Sequence, residues 1–187
     1  MEGGHGLADV LLGRAEPGGR LPFSVPETEA HLPTFDREAD VATYDRWHGW
    51  WHLRRAGHTP AYPFGYGLGY TTFAIETARA TRGEDGIRVS ATVRNTGARA
   101  GSDVVQVYAH RSGSAGPERL VGFGRIDVPA GASTSVDLVV SADRLAERDV
   151  VAHAMVVRPG PYDLRVARHS ADEGIALTVD ILDAVER

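Results

Sequence analysis

Apolar and polar residues alternate along the second half of the chain, from residue 71 to residue 183. In the clearest run, residues 87–94, every second side chain from Ile87 to Val93 is apolar and the side chains between them are polar. This period of two is typical of a half-buried β-strand. The same alternation recurs at residues 105–109, 136–140, 162–166 and 175–181. Several short strands at this spacing predict an antiparallel β-sandwich of about 100 residues.

Turn signals separate the predicted strands. They are Asn95-Thr96-Gly97, Pro129-Ala130-Gly131 and Arg158-Pro159-Gly160. Each one contains glycine together with asparagine or proline, which is typical of tight turns. Strands do not alternate with helical patterns in this half, so a parallel sheet is disfavoured.

The stretch from residue 1 to residue 70 is rich in Gly, Pro, His and Trp and shows little periodicity. One helical signal stands near the start, where Leu7, Val10 and Leu11 follow i, i+3, i+4 spacing. That spacing predicts a short helix with one apolar face. Gly13 is a plausible residue to end it.

Between the predicted helix and residue 43 the sequence offers little regular structure. Residues 20–25 predict a short strand, and Pro22 places that strand at an edge or an end of a sheet. From Pro26 to Thr43 no regular element is predicted. A stretch of this length normally lines a site, packs on another part of the protein or is disordered.

The composition excludes several kinds of chemistry but says little about the fold. The chain has 187 residues, 42% of them hydrophobic, and a formal net charge of -5, so nothing indicates a nucleic-acid partner. It has no cysteine, which excludes disulfides, thiolate metal sites and thiol nucleophiles. All 20 Lys+Arg residues are Arg, which excludes lysine-based catalysis. No apolar run approaches the length that spans a bilayer, and no cofactor motif is evident.

Three stretches of sequence resemble family 3 glycoside hydrolases. Residues 2–13 with Pro17-Gly18-Gly19-Arg20-Leu21-Pro22-Phe23 are similar to a segment late in that family's α/β-sandwich domain. The second stretch is similar to the family's linker and reads Pro60-Ala61-Tyr62-Pro63-Phe64-Gly65-Tyr66-Gly67-Leu68-Gly69-Tyr70-Thr71-Thr72-Phe73. Residues 95–97, 101–108, 120–123 and 157–162 are similar to its fibronectin type III-like domain.

The resemblance implies a mainly β fold with two parts. The second part, residues 71–187, is expected to be an antiparallel fibronectin type III-like (immunoglobulin-like) β-sandwich. The first part, residues 1–70, is expected to be the C-terminal remnant of an α/β-sandwich domain plus the linker. Met1 precedes a segment that is internal in such proteins, so a truncated reading frame, a gene remnant or a mis-called start is expected.

The resemblance also implies that the chain lacks its own catalytic carboxylates. Retaining glycosidases need a nucleophile and an acid/base about 5–5.5 Å apart. In the family the nucleophile is an aspartate on a TIM barrel, a domain of about 250 residues, and the acid/base glutamate lies upstream of the first motif. The expected partners are therefore the missing TIM-barrel and α/β domains and, in the intact enzyme, a β-linked gluco- or xylo-configured saccharide. The chain alone is expected to be an inactive, structural or accessory part of a β-glucosidase-like hydrolase.

Residues 44–52 depart from the family, since Trp50 and Trp51 stand where Tyr and Arg are usual. Aromatic rings stack on sugars, and His or Asp can bind their hydroxyl groups. The candidate substrate-binding residues are Tyr44, Asp45, Trp47, His48 and Trp50. The alternative, and the more common role of Trp, is packing between the α/β domain and the sandwich.

Other site hypotheses are weaker. His48 and His52 have the i, i+4 spacing of helical metal ligands and His58 lies nearby, but Gly49 interrupts a helix there, so no metal is expected. Residues 65–69 are glycine-rich, but no strand–helix unit follows, so a tight turn is predicted and not a phosphate loop. The acidic residues of the two predicted turns are expected to be solvated loop charges: Glu84, Asp85, Asp172 and Glu173.

Two other functions remain open. A stand-alone carbohydrate-binding or interaction module needs an exposed aromatic platform, and the sandwich half offers only Phe73, Tyr108, Phe123 and Tyr162, several on predicted core faces. The second is a subunit that is completed in trans by a separate barrel protein. For a chain truncated in the way that Met1 indicates, we expect residues 1–70 to be less stable than residues 71–183, because they have lost most of their packing partners.

Overall fold

The computed structural model describes residues 3–84, 86–182 and 185–186, the last two as backbone only. Met1, Glu2 and Asp85 lie outside the described residues, so the expectations that involve them are untested by the structure. No helix among the described residues is long and apolar enough to cross a membrane.

The first part of the chain has few regular elements, and the second part consists mostly of β-strands. The α-helices are α1 (Gly3–Leu11), α2 (Trp50–Ala56) and α3 (Ala142–Leu145), with a 3-10 helix at Glu29–His31. The strands are β1 (Val25–Pro26), β2 (Pro60–Tyr62), β3 (Phe73–Gly83), β4 (Gly86–Asn95), β5 (Gly101–Arg111), β6 (Arg119–Val128), β7 (Ser133–Ser141), β8 (Glu147–Asp149), β9 (Ala154–Val157), β10 (Gly160–Ala167), β11 (Ile175–Ile181) and β12 (Val185–Glu186).

Two sheets form the β-sandwich. One has the strand order β11-β10-β5-β6 and the other β3-β4-β7, and the strand pairings within these and the smaller sheets are antiparallel. A three-stranded sheet β12-β9-β8 and the pair β1-β2 complete the described strands. The prediction of a mainly β, antiparallel fold is therefore confirmed.

The core lies between the two main sheets and follows the alternation of the sequence. On β4, Ile87, Val89 and Val93 are at most 1% exposed and pack in one cluster with apolar residues of the opposite sheet. Burying such side chains stabilises the fold by about 1.5–3 kcal/mol each. Strand β5 differs, because Gln106 and Tyr108 on its other face are about as buried as Val107 between them. Its outer face is covered by the segment that precedes the sandwich, as the amide of Gln106 donating to the Gly65 carbonyl at 2.9 Å shows.

The structure corrects several expectations about the part of the chain before the sandwich. The helix at Leu7–Leu11 is confirmed, and it is followed by Gly13 at φ +70°. The strand predicted at residues 20–25 is wrong: Leu21 exchanges single backbone bonds with the linker, and in this described stretch only Val25 joins a ladder, as part of β1. The segment predicted without regular structure contains the 3-10 helix, and α2 was not predicted.

Candidate functional site

Helix α2 carries the predicted site to the edge of the sandwich. It begins at Trp50, directly after Gly49, whose φ of +63° is a conformation that suits glycine. It ends at left-handed Gly57, where the His58 N–H donates to the Leu53 carbonyl at 2.9 Å and closes the last turn. Leu53 is 5% exposed and anchors the helix on the sandwich.

Asp45, Trp47 and His48 form a compact polar turn before α2. The Asp45 Oδ1 atom accepts a hydrogen bond from the Trp47 N–H at 2.7 Å. The Asp45 carbonyl lies 2.7 Å from His48 Nδ1, which must be the donor because a carbonyl only accepts. The Nε2 atom of His48 is then the ring atom that remains for an external partner.

Two guanidinium groups lie over the indole of Trp47. The Cζ atom of Arg55 is 4.9 Å from the ring centroid and that of Arg46 is 5.6 Å from it. Both distances are within the range of cation–π attraction. Arg55 Nη1 is 4.0 Å from Asp45 Oδ2, and both side chains are more than half exposed.

Trp50 faces the sandwich and not the polar turn. Its ring stacks on Phe64 at 5.8 Å and meets the edge of Tyr108 at 5.8 Å. Contacts of this kind are expected if the aromatic residues pack against the sandwich, which was the alternative to sugar binding. Tyr44 is 66% exposed. The structure thus brings Asp45, Trp47 and His48 together and turns Trp50 towards the sandwich.

Glu118 holds α2 against the sandwich. Its carboxylate accepts hydrogen bonds from Arg165 on β10, at 2.7 and 3.1 Å, and from Arg54 on α2. Its carbonyl accepts the indole N–H of Trp51 at 2.6 Å. Burial alone would raise the pKa of Glu118, but the hydrogen bonds and charges of Arg165 and Arg54 outweigh it and hold the pKa below its ordinary value.

Asp103 forms a second bridge of the same kind. Its side chain is 1% exposed and accepts from Arg20 at 2.6 Å and from Arg168 at 2.5 Å. Each bridge thus joins one arginine from before the sandwich to one arginine of the sandwich through a carboxylate, which is buried for Asp103 and 10% exposed for Glu118. Breaking a buried pair by removing one partner is strongly destabilising, so these bridges fix the preceding segment on the sandwich.

Two clefts flank α2. The smaller one, of about 320 Å³, lies between α2 and the loop that ends at Glu118, and Trp47, Trp51, Arg55 and Ser114 are among its lining residues. The larger one, of about 410 Å³, is lined by Trp50, Arg54, His58 and Arg165 among others. Both volumes are at the lower end of the range for small-molecule sites.

The structure also shows how the residues of the weaker site hypotheses are arranged. Among the described residues no cluster of three or more His, Asp or Glu side chains is placed to hold a metal ion. A side chain at Gly65 would collide with Gln106 of β5 and one at Gly67 with Arg20, so Gly65 allows close packing of the linker on the sandwich and Gly67 allows it on the segment around Arg20. The expectation for Asp172 is wrong: its carboxylate caps the β10–β11 turn by accepting the Arg168 N–H at 2.9 Å and the Gly174 N–H at 3.2 Å.

The charged residues that organise the site were missed at the level of sequence. Arg54 and Arg165 are 64 and 47 positions from Glu118, and contacts of such separation leave no local pattern. The only local hint is that Glu118 lies just before a stretch, residues 120–123, that resembles a known family.

Two family models match the chain. The model described as "Glycosyl hydrolase family 3 C-terminal domain" matches residues 1–70, and that of the "Fibronectin type III-like domain" matches residues 103–170. Among curated proteins, a xylan 1,4-beta-xylosidase of Xylanibacter ruminicola is 32% identical over 180 residues, which are 94% of this chain and 20% of the relative. A beta-glucosidase of Rhizobium radiobacter is 34% identical over 197 residues, with coverage of 97% and 24%.

Solved structures agree with the sequence comparisons. The structure of beta-glucosidase 3B from Thermotoga neapolitana in complex with alpha-D-glucose superposes with a TM-score of 0.85 and 29% identity over 100% of this chain and 27% of that one. Beta-glucosidase from Kluyveromyces marxianus gives a TM-score of 0.86 and 28% identity over 98% and 23%. The chain spans between a fifth and a quarter of the length of the two curated relatives.

Proposed function

Because the chain belongs to the C-terminal region of glycoside hydrolase family 3, we propose that it is an accessory, non-catalytic part of a β-glucosidase- or β-xylosidase-like hydrolase. The names of the two curated relatives support β-linked gluco- or xylo-configured saccharides as the substrates of the whole protein. We place the boundary between the family 3 segment and the sandwich at residue 70, so that residues 71–187 form the second domain.

One observation carries the accessory role: the segment before the sandwich is fixed on one side and open on the other. The bridges at Asp103 and Glu118 tie it to the sandwich. Helix α1 has no buried residue, and its apolar residues Leu7 and Leu11 are 60% and 73% exposed. An amphipathic helix normally buries its apolar face, which supports packing of this face on another part of the hydrolase.

The candidate contacts to saccharide follow from this arrangement. Asp45, Trp47 and His48 would face a sugar beside α2, with Tyr44 as the exposed ring next to them. Trp50 would contribute from the larger cleft, which it lines. In the whole protein the sandwich would bring these residues to the substrate cleft that the preceding domains form.

The charges at the site support a non-catalytic role. A glycosidase acid must hold a proton near neutral pH, so its pKa has to be raised. Glu118 is a mostly covered carboxylate beside α2, and its pKa is lowered because Arg165 and Arg54 stabilise the ionised form against the effect of partial burial. It is suited to hold α2 in place and unsuited to protonate a leaving group.

The test is hydrolysis of a panel of aryl β-glycosides by the purified 187-residue chain, with the Rhizobium radiobacter beta-glucosidase as positive control. We expect no turnover by the chain. Turnover that one Asp or Glu substitution within the chain abolishes would show that the active site lies here and that the accessory role is wrong.

The exposed face of α1 also favours a second candidate, completion in trans by a separate polypeptide that carries a barrel. The chain would be mixed with the Rhizobium radiobacter relative lacking the region that matches this chain. Activity that appears on mixing, and that fails with Leu11→Asp, would support it. A stand-alone binding module is disfavoured, because among the four sandwich aromatics only Phe123, 68% exposed, is accessible, while Phe73, Tyr108 and Tyr162 are at most 7% exposed.

A further inference from the structure

We propose that the smaller cleft beside α2 recognises an acidic saccharide, and that the guanidinium groups of Arg46 and Arg55 bind the carboxylate of a uronate-type sugar. This rests on the proposed saccharide role of residues 44–52 and names the class of sugar. Nothing in the names of the relatives requires such a site, so the inference depends on the side chains of this chain alone.

Guanidinium groups lie over the ring of Trp47, whereas a neutral sugar would need an uncovered ring face on which to stack. Arg55 and Arg46 lie over the indole with Cζ atoms 4.9 and 5.6 Å from its centroid. A guanidinium that is held by an aromatic ring loses little further freedom on binding, and its planar fork matches the two oxygens of a carboxylate. The ring therefore orients two anion-binding groups.

Arg55 has donors available for a ligand. Asp45 Oδ2 is 4.0 Å from Arg55 Nη1, and the side chains of Asp45 and Arg55 are 66% and 60% exposed. Charge-assisted hydrogen bonds are about 2.7–2.9 Å long, so this pair is loose and worth little. Arg54 differs, because its guanidinium is already bound to Glu118.

Arg46 lies beside Gly116, one of the residues that line the cleft. Its Nη2 atom would be 3.0 Å from a Cβ atom at Gly116, so the guanidinium lies against the loop that forms the far wall. A ligand in the cleft would thus meet Arg55 from α2, and Arg46 would approach it from the margin of the cleft beside Gly116. The volume of about 320 Å³ and the indole walls of Trp47 and Trp51 favour an organic anion over a bare ion.

Other charged side chains surround the cleft, and one of them is Glu147, whose Oε1 atom would be 3.4 Å from a Cβ atom at Gly116 and thus lies beside the same glycine as Arg46. Glu118 is neutralised by Arg54 and Arg165. His110 also lines the cleft, and its Nε2 atom is 3.7 Å from the carboxylate of Asp163. Within the described part of the chain, Asp45 is the carboxylate that competes directly for Arg55.

The experiment compares methyl β-D-glucuronide with methyl β-D-glucoside, which differ in the charged group at C6. Both are titrated into the full 187-residue chain at low ionic strength and followed by amide and indole N–H signals in nuclear magnetic resonance spectra. We expect the glucuronide to bind more tightly, with shifts at Trp47 and Arg55, and salt to weaken its binding. Inorganic phosphate at the same ionic strength is the third probe.

Matched variants make the result specific. Arg55→Gln should weaken glucuronide binding by about fivefold or more, since a charge-assisted bidentate contact is lost. Arg79→Gln, which removes the same charge from an exposed position on β3, should leave it unchanged. Asp45→Asn keeps the oxygen that accepts from Trp47 but removes the competing charge, so it should tighten glucuronide binding.

Each outcome decides between the two proposals. Equal or tighter binding of the glucoside, at the same residues, would overturn the acidic preference and leave the saccharide role intact. Phosphate binding as tight as that of the glucuronide would overturn the saccharide specificity in favour of a general anion site. Shifts from none of the three probes would overturn both proposals, provided that the spectrum is that of a folded chain.

Discussion

Asn95 shows how much a single buried polar side chain organises in this protein. It is the only asparagine of the chain and is fully buried at the end of β4. Its Nδ2 donates to the carbonyls of Arg99 at 2.7 Å and Val128 at 3.0 Å. Its Oδ1 accepts from the Thr71 hydroxyl at 2.7 Å and from the Gly97 N–H at 3.0 Å. One amide thus joins the linker, the turn after β4 and the end of β6.

We predict that Asn95→Ala lowers the free energy of unfolding by about 3 kcal/mol, because several buried donors and acceptors lose their partner at once. Urea denaturation followed by circular dichroism measures this. Thr92→Val is the control, because it removes an exposed hydroxyl that contacts Ser135 at 3.1 Å, and it should change stability by less than about 0.5 kcal/mol. Similar losses for both variants would contradict the assigned role of Asn95.

Glu118 gives a prediction that depends on pH. Its pKa is lower in the folded protein than the ordinary value near 4.3, because the effect of Arg165 and Arg54 exceeds that of burial. The folded state therefore gains stability from this group above about pH 4.3 and loses it as the pH falls through the lowered value. We predict that Glu118→Gln destabilises the protein by about 2 kcal/mol at pH 7 and by much less near pH 3.

Urea denaturation at both pH values, with Glu173→Gln as an exposed control, measures the pH effect at Glu118. The control should match the wild-type protein at pH 7. A Glu118→Gln variant whose loss of stability is the same at both pH values would show that Glu118 is not ionised and paired in the folded chain.

The glycine-rich linker between β2 and β3 is held closely on β5. Gly65 has a φ of +82°, and a Cβ atom there would collide with the side-chain amide of Gln106. Gln106 cannot move aside easily, because it is 2% exposed, donates to the Gly65 and Arg168 carbonyls and accepts from the Tyr108 hydroxyl at 2.6 Å. The linker therefore requires glycine for two separate reasons.

We predict that Gly65→Ala destabilises the chain by about 3 kcal/mol, and that Gly113→Ala does so by only about 1 kcal/mol. Gly113 has a similar φ of +71°, but a Cβ atom there would meet open space. The difference between the two variants in thermal denaturation isolates the collision with Gln106. Equal effects would mean that backbone strain alone explains the requirement for glycine.

Most strands of the two main sheets could be predicted from the sequence, but β3 and β6 were not, and neither was the packing of the preceding segment on the sandwich. Alternation predicted β4, β7, β10 and β11, because successive side chains of a half-buried strand face the core and the solvent in turn. Helix α2 was missed because Gly49 and the aromatic run at its start obscure helical spacing, and its stability comes from contacts with the sandwich. The bridges at Asp103 and Glu118 join residues far apart in sequence, which alternation cannot reveal.

The two halves of the chain differ in how much of each is protected. Within residues 3–70 the buried positions are Leu53, Pro63 and Gly65, whereas the apolar core lies within residues 73–179. Charged bridges, single hydrogen bonds and the aromatic packing of Trp50 hold the first part on the second. Local opening of the first part should therefore need less free energy than unfolding of the sandwich.

We predict that limited trypsin treatment first cuts the chain before residue 70, for example after the exposed Arg37 or Arg46, and leaves a resistant product that contains the sandwich. Exposed arginines such as Arg79 and Arg88 in the sandwich make the comparison fair, since trypsin has sites in both parts. Mass spectrometry of the products over time identifies the cuts. Early cleavage between residues 73 and 181 would reverse the predicted order of stability.

The paired bridges also have a consequence for how such chains can diverge. A lineage that loses Arg20 leaves Asp103 with one guanidinium, and a lineage that loses Asp103 leaves Arg20 and Arg168 facing each other across a buried site. Either intermediate is expected to be less stable, so we expect the three positions to be exchanged together among homologues, as we do Arg54, Glu118 and Arg165. Recombination that replaces the sandwich of one homologue by that of another would separate these partners, and the two parts of the chain are therefore expected to be inherited as one unit.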